Sequence, residues 1–224
     1  MKLYFDLETI PTQQQIFIDE IANTITHPKT MSKPETIAAW EKDKKPLAID
    51  EAVSKTVFDG GMGEIITFGY AFNDDEPEVI QRNKDISEND LLSSVNDLFN
   101  DKCIINNAST HPVWIGHNIC GYDLRYLWKR FIVNGIKPAI KIPFDAKPWA
   151  SEVYDTMFEW AGTGNDKKSM DFVCKALGLE GKTGMDGSMV YQAWLDEKYN
   201  EIAEYCKHDI EMTRSIYKRI NFIY

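Results

Sequence analysis

Residues 1–11 read MKLYFDLETIP. Leu3, Phe5 and Leu7 alternate with Tyr4, Asp6 and Glu8, as side chains do on the two faces of a strand. Pro11 disfavours continuation. The stretch therefore reads as a core strand with two acids, one residue apart, on the same face. An unpaired buried carboxylate costs on the order of several kcal/mol or neutralises itself by a pKa shift. Either the stretch is no strand, or something cationic meets both acids.

The rest of the chain supplies a sheet around that strand. EIITFGYAFNDDEPEVIQR predicts strands over 64–72 and 78–82 joined by an acidic turn, and VWIGHN predicts another buried strand. SENDLLSSVNDLFN opens on Ser87 with Asp90 three residues later, a capping-box pattern, and predicts a helix over 88–100. Leu124, Leu127, Trp128 and Phe131 recur at helical spacing and stop at Gly135, and MDFVCKALGL predicts a short helix ending near Gly178. A last helix covers about 197–220. Residues 12–60 read as a mostly helical insertion after the first strand, interrupted at Pro46, with no core of their own. The whole, 1–224, reads as one α/β domain: a mixed central sheet with helices on both faces.

Composition narrows the class. The 224 residues are 43% hydrophobic, enough for one sizeable core, and no window approaches the roughly 18 apolar residues of a membrane span. No basic segment leads into an apolar one at the start, so no signal peptide is expected. Cys103, Cys120, Cys174 and Cys206 are scattered, which suits free thiols in the cytoplasm. A net charge of −10 argues against a broad basic surface for duplex DNA. It suits an acidic site that recruits divalent cations.

The last helix bears on the opening question. Ile202, Cys206, Asp209, Thr213, Ile216 and Ile220 step by fours and threes along one face, so Asp209 lies in the stripe that meets the core. Tyr205, four residues before it, is its neighbour. Asn118 and Asp123 lie between a strand and a helix in HNICGYDLRYL. Each motif alone has an ordinary reading: solvated acids at a strand end, a turn asparagine, an acid favoured by the helix dipole. Together they bring four carboxylates from three distant segments toward one sheet edge. That donor set is rich in oxygen and suits two hard divalent ions, Mg²⁺ or Mn²⁺.

FDLET (5–9), HNICGYD (117–123) and YCKHD (205–209) resemble, in order and in internal spacing, the three exonuclease motifs of the DEDD superfamily of 3′–5′ exonucleases. Tyr205 lies four before Asp209, matching the tyrosine-containing (DEDDy) subgroup; Glu204 stands where the other subgroup has histidine. ALGLEGKTGMDGSMVYQAW and IAEYCKHDIEMT are further similar to stand-alone exonucleases related to the proofreading domain of family B DNA polymerases. The resemblance implies a ribonuclease H-like fold and two-metal hydrolysis of phosphodiester bonds at the 3′ end of single-stranded nucleic acid, DNA by preference, releasing nucleoside 5′-monophosphates. By position, Asp6 bridges both ions, Glu8 and Asp209 hold one, and Asp123 serves the other. Tyr205 orients the attacking water, and Thr9 (through its backbone) and Asn118 contact the terminal nucleotide. A polymerase, or a replication or repair protein, is the implied protein partner; no membrane is. An RNA-trimming enzyme, a non-catalytic nucleic-acid- or polymerase-binding module, and an unrelated metal-dependent phosphoesterase are the rival readings.

Other signals carry less. GLEGKT lacks the spacing of a phosphate-binding loop and reads as a solvent-exposed turn, with Lys182 a candidate phosphate contact. Cys103, His111, His117 and Cys120 match no common zinc spacing. Trp40, Trp149, Trp160, Trp194 and Tyr154 read first as packing residues, though each could stack on a base. Lys129, Arg130, Lys167 and Lys168 are candidate phosphate contacts; Asp155 and Asp171 are unassigned acids.

Overall fold

A computed structural model describes residues 1–105, 108–182 and 184–223. The chain forms two compact units, Met1–Thr9 with Ile65–Tyr224, and Ile10–Glu64. Strand β1 (Lys2–Ile10) is followed by helices α1 (Gln15–Thr24), α2 (Pro34–Asp43) and α3 (Lys45–Ser54) and a short 3₁₀ turn, Lys55–Phe58. None of these three helices buries a residue. The break expected at Pro46 falls at Lys44 instead. Pro46 sits in the first turn of α3, where a missing N–H leaves no helical bond unmade.

In the other unit, β2 (Glu64–Phe72) and β3 (Glu78–Gln81) lead to α4 (Glu88–Cys103), a short pair β4 (Ile104–Ile105) and β5 (Ala108–Ser109), and β6 (Val113–Gly116). Then come α5 (Asp123–Val133), β7 (Val153–Asp155), α6 (Thr156–Ala161), α7 (Met170–Leu177), α8 (Val190–Leu195) and α9 (Tyr199–Ile220). The main sheet runs β3-β2-β1-β6-β7. β1 is parallel to β6 and β6 to β7, whereas β2 and β3 are antiparallel. Asn73, just past β2, donates its N–H to the Lys2 carbonyl at 3.1 Å, while Gly69 lies against the Asp6 carbonyl, so β2 runs against β1. The sheet is mixed, as the sequence indicates.

Several helix ends follow their local chemistry. Ser87 and Asp90 close a full capping box on α4. Gly135 and Gly178, at φ +66°, take the left-handed conformation that ends α5 and α7.

Alternation in β1 sorts the core. Leu3, Phe5 and Leu7 pack with Phe68 and Trp114, and with Leu91, Val95 and Phe99 of α4 and Leu124, Leu127 and Phe131 of α5. Tyr4 faces the other way, against Ala71, Ile115 and Ile210 of α9. Helices thus cover both faces, and Asp6 and Glu8 share the α9 face. Gly69 of β2 permits that approach, since a Cβ there would lie 2.4 Å from the Cys206 sulfur. Glu88 and Arg130 form a buried ion pair between α4 and α5. Glu88 also accepts from the Ile65 N–H at 2.7 Å and from Asn134 Nδ2 at 2.8 Å. Arg130, a candidate phosphate contact by position, is a structural residue instead.

Candidate active site

The three parallel strands β1, β6 and β7 end on the same side of the sheet, the side where open α/β sheets hold ligands. Each delivers an acid or a loop there. β1 carries Asp6, Glu8 and Thr9. β6 ends at Gly116 and leads into the 117–122 loop and Asp123, the first residue of α5. β7 ends at Asp155. From the facing helix, Tyr205 and Asp209 project off the buried stripe of α9.

The structure brings all four acids of the sequence analysis together. Glu8, Asp123 and Asp209 are buried and Asp6 is partly so. Carboxylate oxygens of Asp6 and Glu8 lie within 4.8 Å of each other and of the Cys206 sulfur. Burial first, then Glu8, Asp123 and Asp209, pushes the Asp6 carboxyl well above the ordinary range. Burial and the Asp209 charge do the same to Glu8. Burial, with Asp155 and Asp209, pushes Asp123 up to about 7 against backbone hydrogen bonds that pull it down. Burial and the same acids raise the Cys206 thiol well above its usual value, so it stays a neutral, weak donor to Asp6.

One cation already answers part of that charge. Lys182 Nζ lies 2.8 Å from Asp209 Oδ2 and donates to the Tyr205 hydroxyl as well. The sequence suggests a solvent-exposed turn here; the structure corrects this, folding Gly181 and Lys182 back onto α9. Asp171 causes the return, accepting the Lys182 N–H at 3.1 Å, while His208 meets the Gly181 carbonyl at 3.2 Å. Thr183, the last residue of GLEGKT, lies outside the described residues. Asp209 keeps one buried oxygen, Oδ1, with no hydrogen-bond partner among the described residues.

Asp155 organises the other loop. It accepts the N–H groups of Asn118 at 2.9 Å and Cys120 at 3.1 Å, and caps α6 through Met157. Strand β7 therefore stops at Asp155, and α6 begins at Thr156. Asn118 holds φ +67° and its carbonyl accepts from Gly121 and Tyr122, giving the tight turn that aims Asp123. A Cβ at Gly121 would lie 2.4 Å from Asn118 Oδ1, so any larger residue there would push the Asn118 side chain aside. Thr9 Oγ1 shares a 2.9 Å hydrogen bond with the Tyr122 hydroxyl, tying the first motif to the second. His117 bonds Thr156 and the Lys168 carbonyl through its two ring nitrogens, so it is a structural residue.

The residues fit hard divalent cations. The donor set is four clustered carboxylates, three of them raised above their ordinary pKa by burial first and by neighbouring acids after it, with an unpartnered buried oxygen on the fourth. The family described as "Predicted 3'-5' exonuclease related to the exonuclease domain of PolB" has a model that matches residues 80–224, well over half of the chain. The chain belongs to this exonuclease family. The exonuclease match includes Asn118, Asp123, Tyr205 and Asp209 but begins after Asp6, Glu8 and Thr9. Parallel pairing of β1 with β6 is what sets those three beside the loop that carries Asn118 and Asp123. No curated protein matches the chain. Among solved structures it is similar to the family B DNA polymerase from the hyperthermophilic archaeon Pyrobaculum calidifontis, at 14% identity and a TM-score of 0.57, over 98% of this chain and 24% of that one. That likeness shows a ribonuclease H-like fold, and the chain spans less than a quarter of that polymerase's length.

Proposed function

We propose that this chain is a DEDDy 3′–5′ exonuclease that hydrolyses the terminal phosphodiester of single-stranded DNA and releases nucleoside 5′-monophosphates. The observation that carries the reading is the meeting of Asp6, Glu8, Asp123 and Asp209 around Tyr205, at the ends of the parallel strands. Relationship to the exonuclease domain of a DNA polymerase favours DNA over RNA.

Asp6, Glu8, Asp123 and Asp209 would hold two divalent cations, Mg²⁺ or Mn²⁺, with Asp6 serving both. When bound, such ions offset negative charge on the attacking and leaving oxygens of an in-line displacement. Burial and the nearby carboxylates raise the Tyr205 phenol far above its ordinary value. It therefore stays neutral, orienting a water molecule by hydrogen bonding without removing its proton. Lys182 can leave Asp209 for the phosphate of an incoming strand. The Asn118 turn and the Thr9 backbone position the last nucleotide.

The test compares linear and covalently circular single strands, with Mg²⁺, Mn²⁺ or EDTA. Release of nucleoside 5′-monophosphates from the linear strand, abolished by EDTA, with the circle left intact, is expected. Cutting of the circle contradicts the reading. Parallel DNA and RNA strands settle the sugar preference, through the 2′-OH contacts that alone distinguish them.

A further inference from the structure

Among the aromatic residues that could stack on a base, most are engaged in packing. Trp194 is buried, Trp160 packs on the cluster of Met170, Val173 and Ile216, and Tyr154 meets Tyr217 edge-on at 4.7 Å. Trp149 differs. It is 70% exposed, and its ring contact is with Phe158, centroids 5.8 Å apart. Both rings line a cavity of about 410 Å³, which also takes in Asn118, Arg125, Lys147 and Lys167. That volume is within the roughly 300–1,000 Å³ of small-molecule pockets.

The charges around it are unusual for a chain of net charge −10. Lys141, Lys168 and Lys175 are each paired with a carboxylate. Arg125, Lys147 and Lys167 are exposed and have no ion-pair partner among the described residues. The acid in the lining, Asp155, already accepts backbone N–H groups from both sides. An exposed ring, Trp149, a half-buried one, Phe158, and three cations thus surround a cavity whose wall includes the Asn118 turn of the acidic site.

We propose that this cavity is a binding subsite for single-stranded nucleic acid next to the scissile bond. Trp149 stacks on one base, and Arg125, Lys147 and Lys167 contact the flanking phosphates. Stacking on an aromatic ring is tolerant of base identity, as removal of successive nucleotides requires. The assignment of the strand to its 3′ end, and of the cavity to the bond being cut, rests on the exonuclease reading; the binding itself does not.

The probe is a 5′-fluorescein-labelled 12-residue oligothymidylate, with an oligouridylate alongside, followed by anisotropy in EDTA so that the strand stays whole. Trp149→Ala is expected to weaken binding by about five- to a hundredfold, with Trp149→Phe restoring most of it. Exposure of Trp149 leaves the melting temperature unchanged, which separates this loss from unfolding. Lys147→Glu with Lys167→Glu is expected to reduce the slope of log affinity against log salt by about 1.4. Wild-type affinity in Trp149→Ala, or an unchanged salt slope in the double variant, overturns the subsite. Shortening of the same strand in Mg²⁺ reads the activity separately. If the wild type shortens it while Trp149→Ala binds normally, the subsite falls and the exonuclease reading stands. If Trp149→Ala loses binding but the wild type never shortens the strand, the subsite stands and the exonuclease reading falls.

Discussion

Asp6 is held in a position it does not favour. Its neighbours are other carboxylates, and Lys182 offsets them only in part. Added Mg²⁺ or Mn²⁺ is therefore expected to raise the melting temperature, and Asp6→Ala to shrink that rise; differential scanning fluorimetry with and without EDTA checks it. Lys182→Ala removes the cation beside Asp209. It is expected to lower the melting temperature in EDTA and to enlarge the rise on adding metal. The pH dependence has a definite sign. Asp123 titrates near 7 in the folded chain against an ordinary value of 3.8, so the metal-free folded state holds extra protons between those values. Stability from this group is complete below about pH 4 and is lost as pH rises through 7. In EDTA the melting temperature should fall over that window, and less steeply in Asp123→Asn. Tyr205→Phe is expected to lower kcat by about a hundredfold through misplaced water. Because the phenol stays protonated, the pH profile should keep its shape.

At the scale of elements, periodicity made much of the fold legible. The twofold alternation of β1 separates Leu3, Phe5 and Leu7 from Asp6 and Glu8, and the stripe of α9 turns Asp209 inward, before any coordinates are known. Ser87, Gly135 and Gly178 mark helix ends by local chemistry alone. What periodicity misses is contact between distant segments. Glu88 and Arg130 lie 42 residues apart and neither breaks its local pattern, so the buried pair is invisible in sequence. Glu88→Gln is expected to cost about 3 kcal/mol or more, since it leaves Arg130 buried without its counter-charge; the urea midpoint reads the loss. Asp155 and Asp171 escape assignment for a related reason, as does the pairing of Lys182 with Asp209. Each acts through a loop whose return path no local rule predicts. Asp155 and Asp171 hold backbone N–H groups of the loops that present Asn118 and Lys182. Neither acid need touch a cation to matter.

At the scale of the molecule, the clustered acids come from distant parts of the chain, with Asp6 and Asp209 some two hundred positions apart. The fold is what makes them one site: a parallel pairing brings β1 beside β6, and α9 lies over the face that Tyr4, Asp6 and Glu8 share. The negative total charge fits the proposed arrangement, in which divalent cations would be drawn to the acidic centre and the basic side chains of the cavity would meet the strand. Among the described residues no helix is long and apolar enough to cross a membrane. The most direct test follows one oligonucleotide labelled at its 5′ end and the same oligonucleotide labelled at its 3′ end, in Mg²⁺, with wild type and Asp6→Asn. The account predicts a descending ladder from the 5′-labelled strand, immediate loss of the 3′ label as a single nucleotide, and neither with Asp6→Asn. Early release of the 5′ label as a single nucleotide, or a ladder that persists in Asp6→Asn, would contradict it.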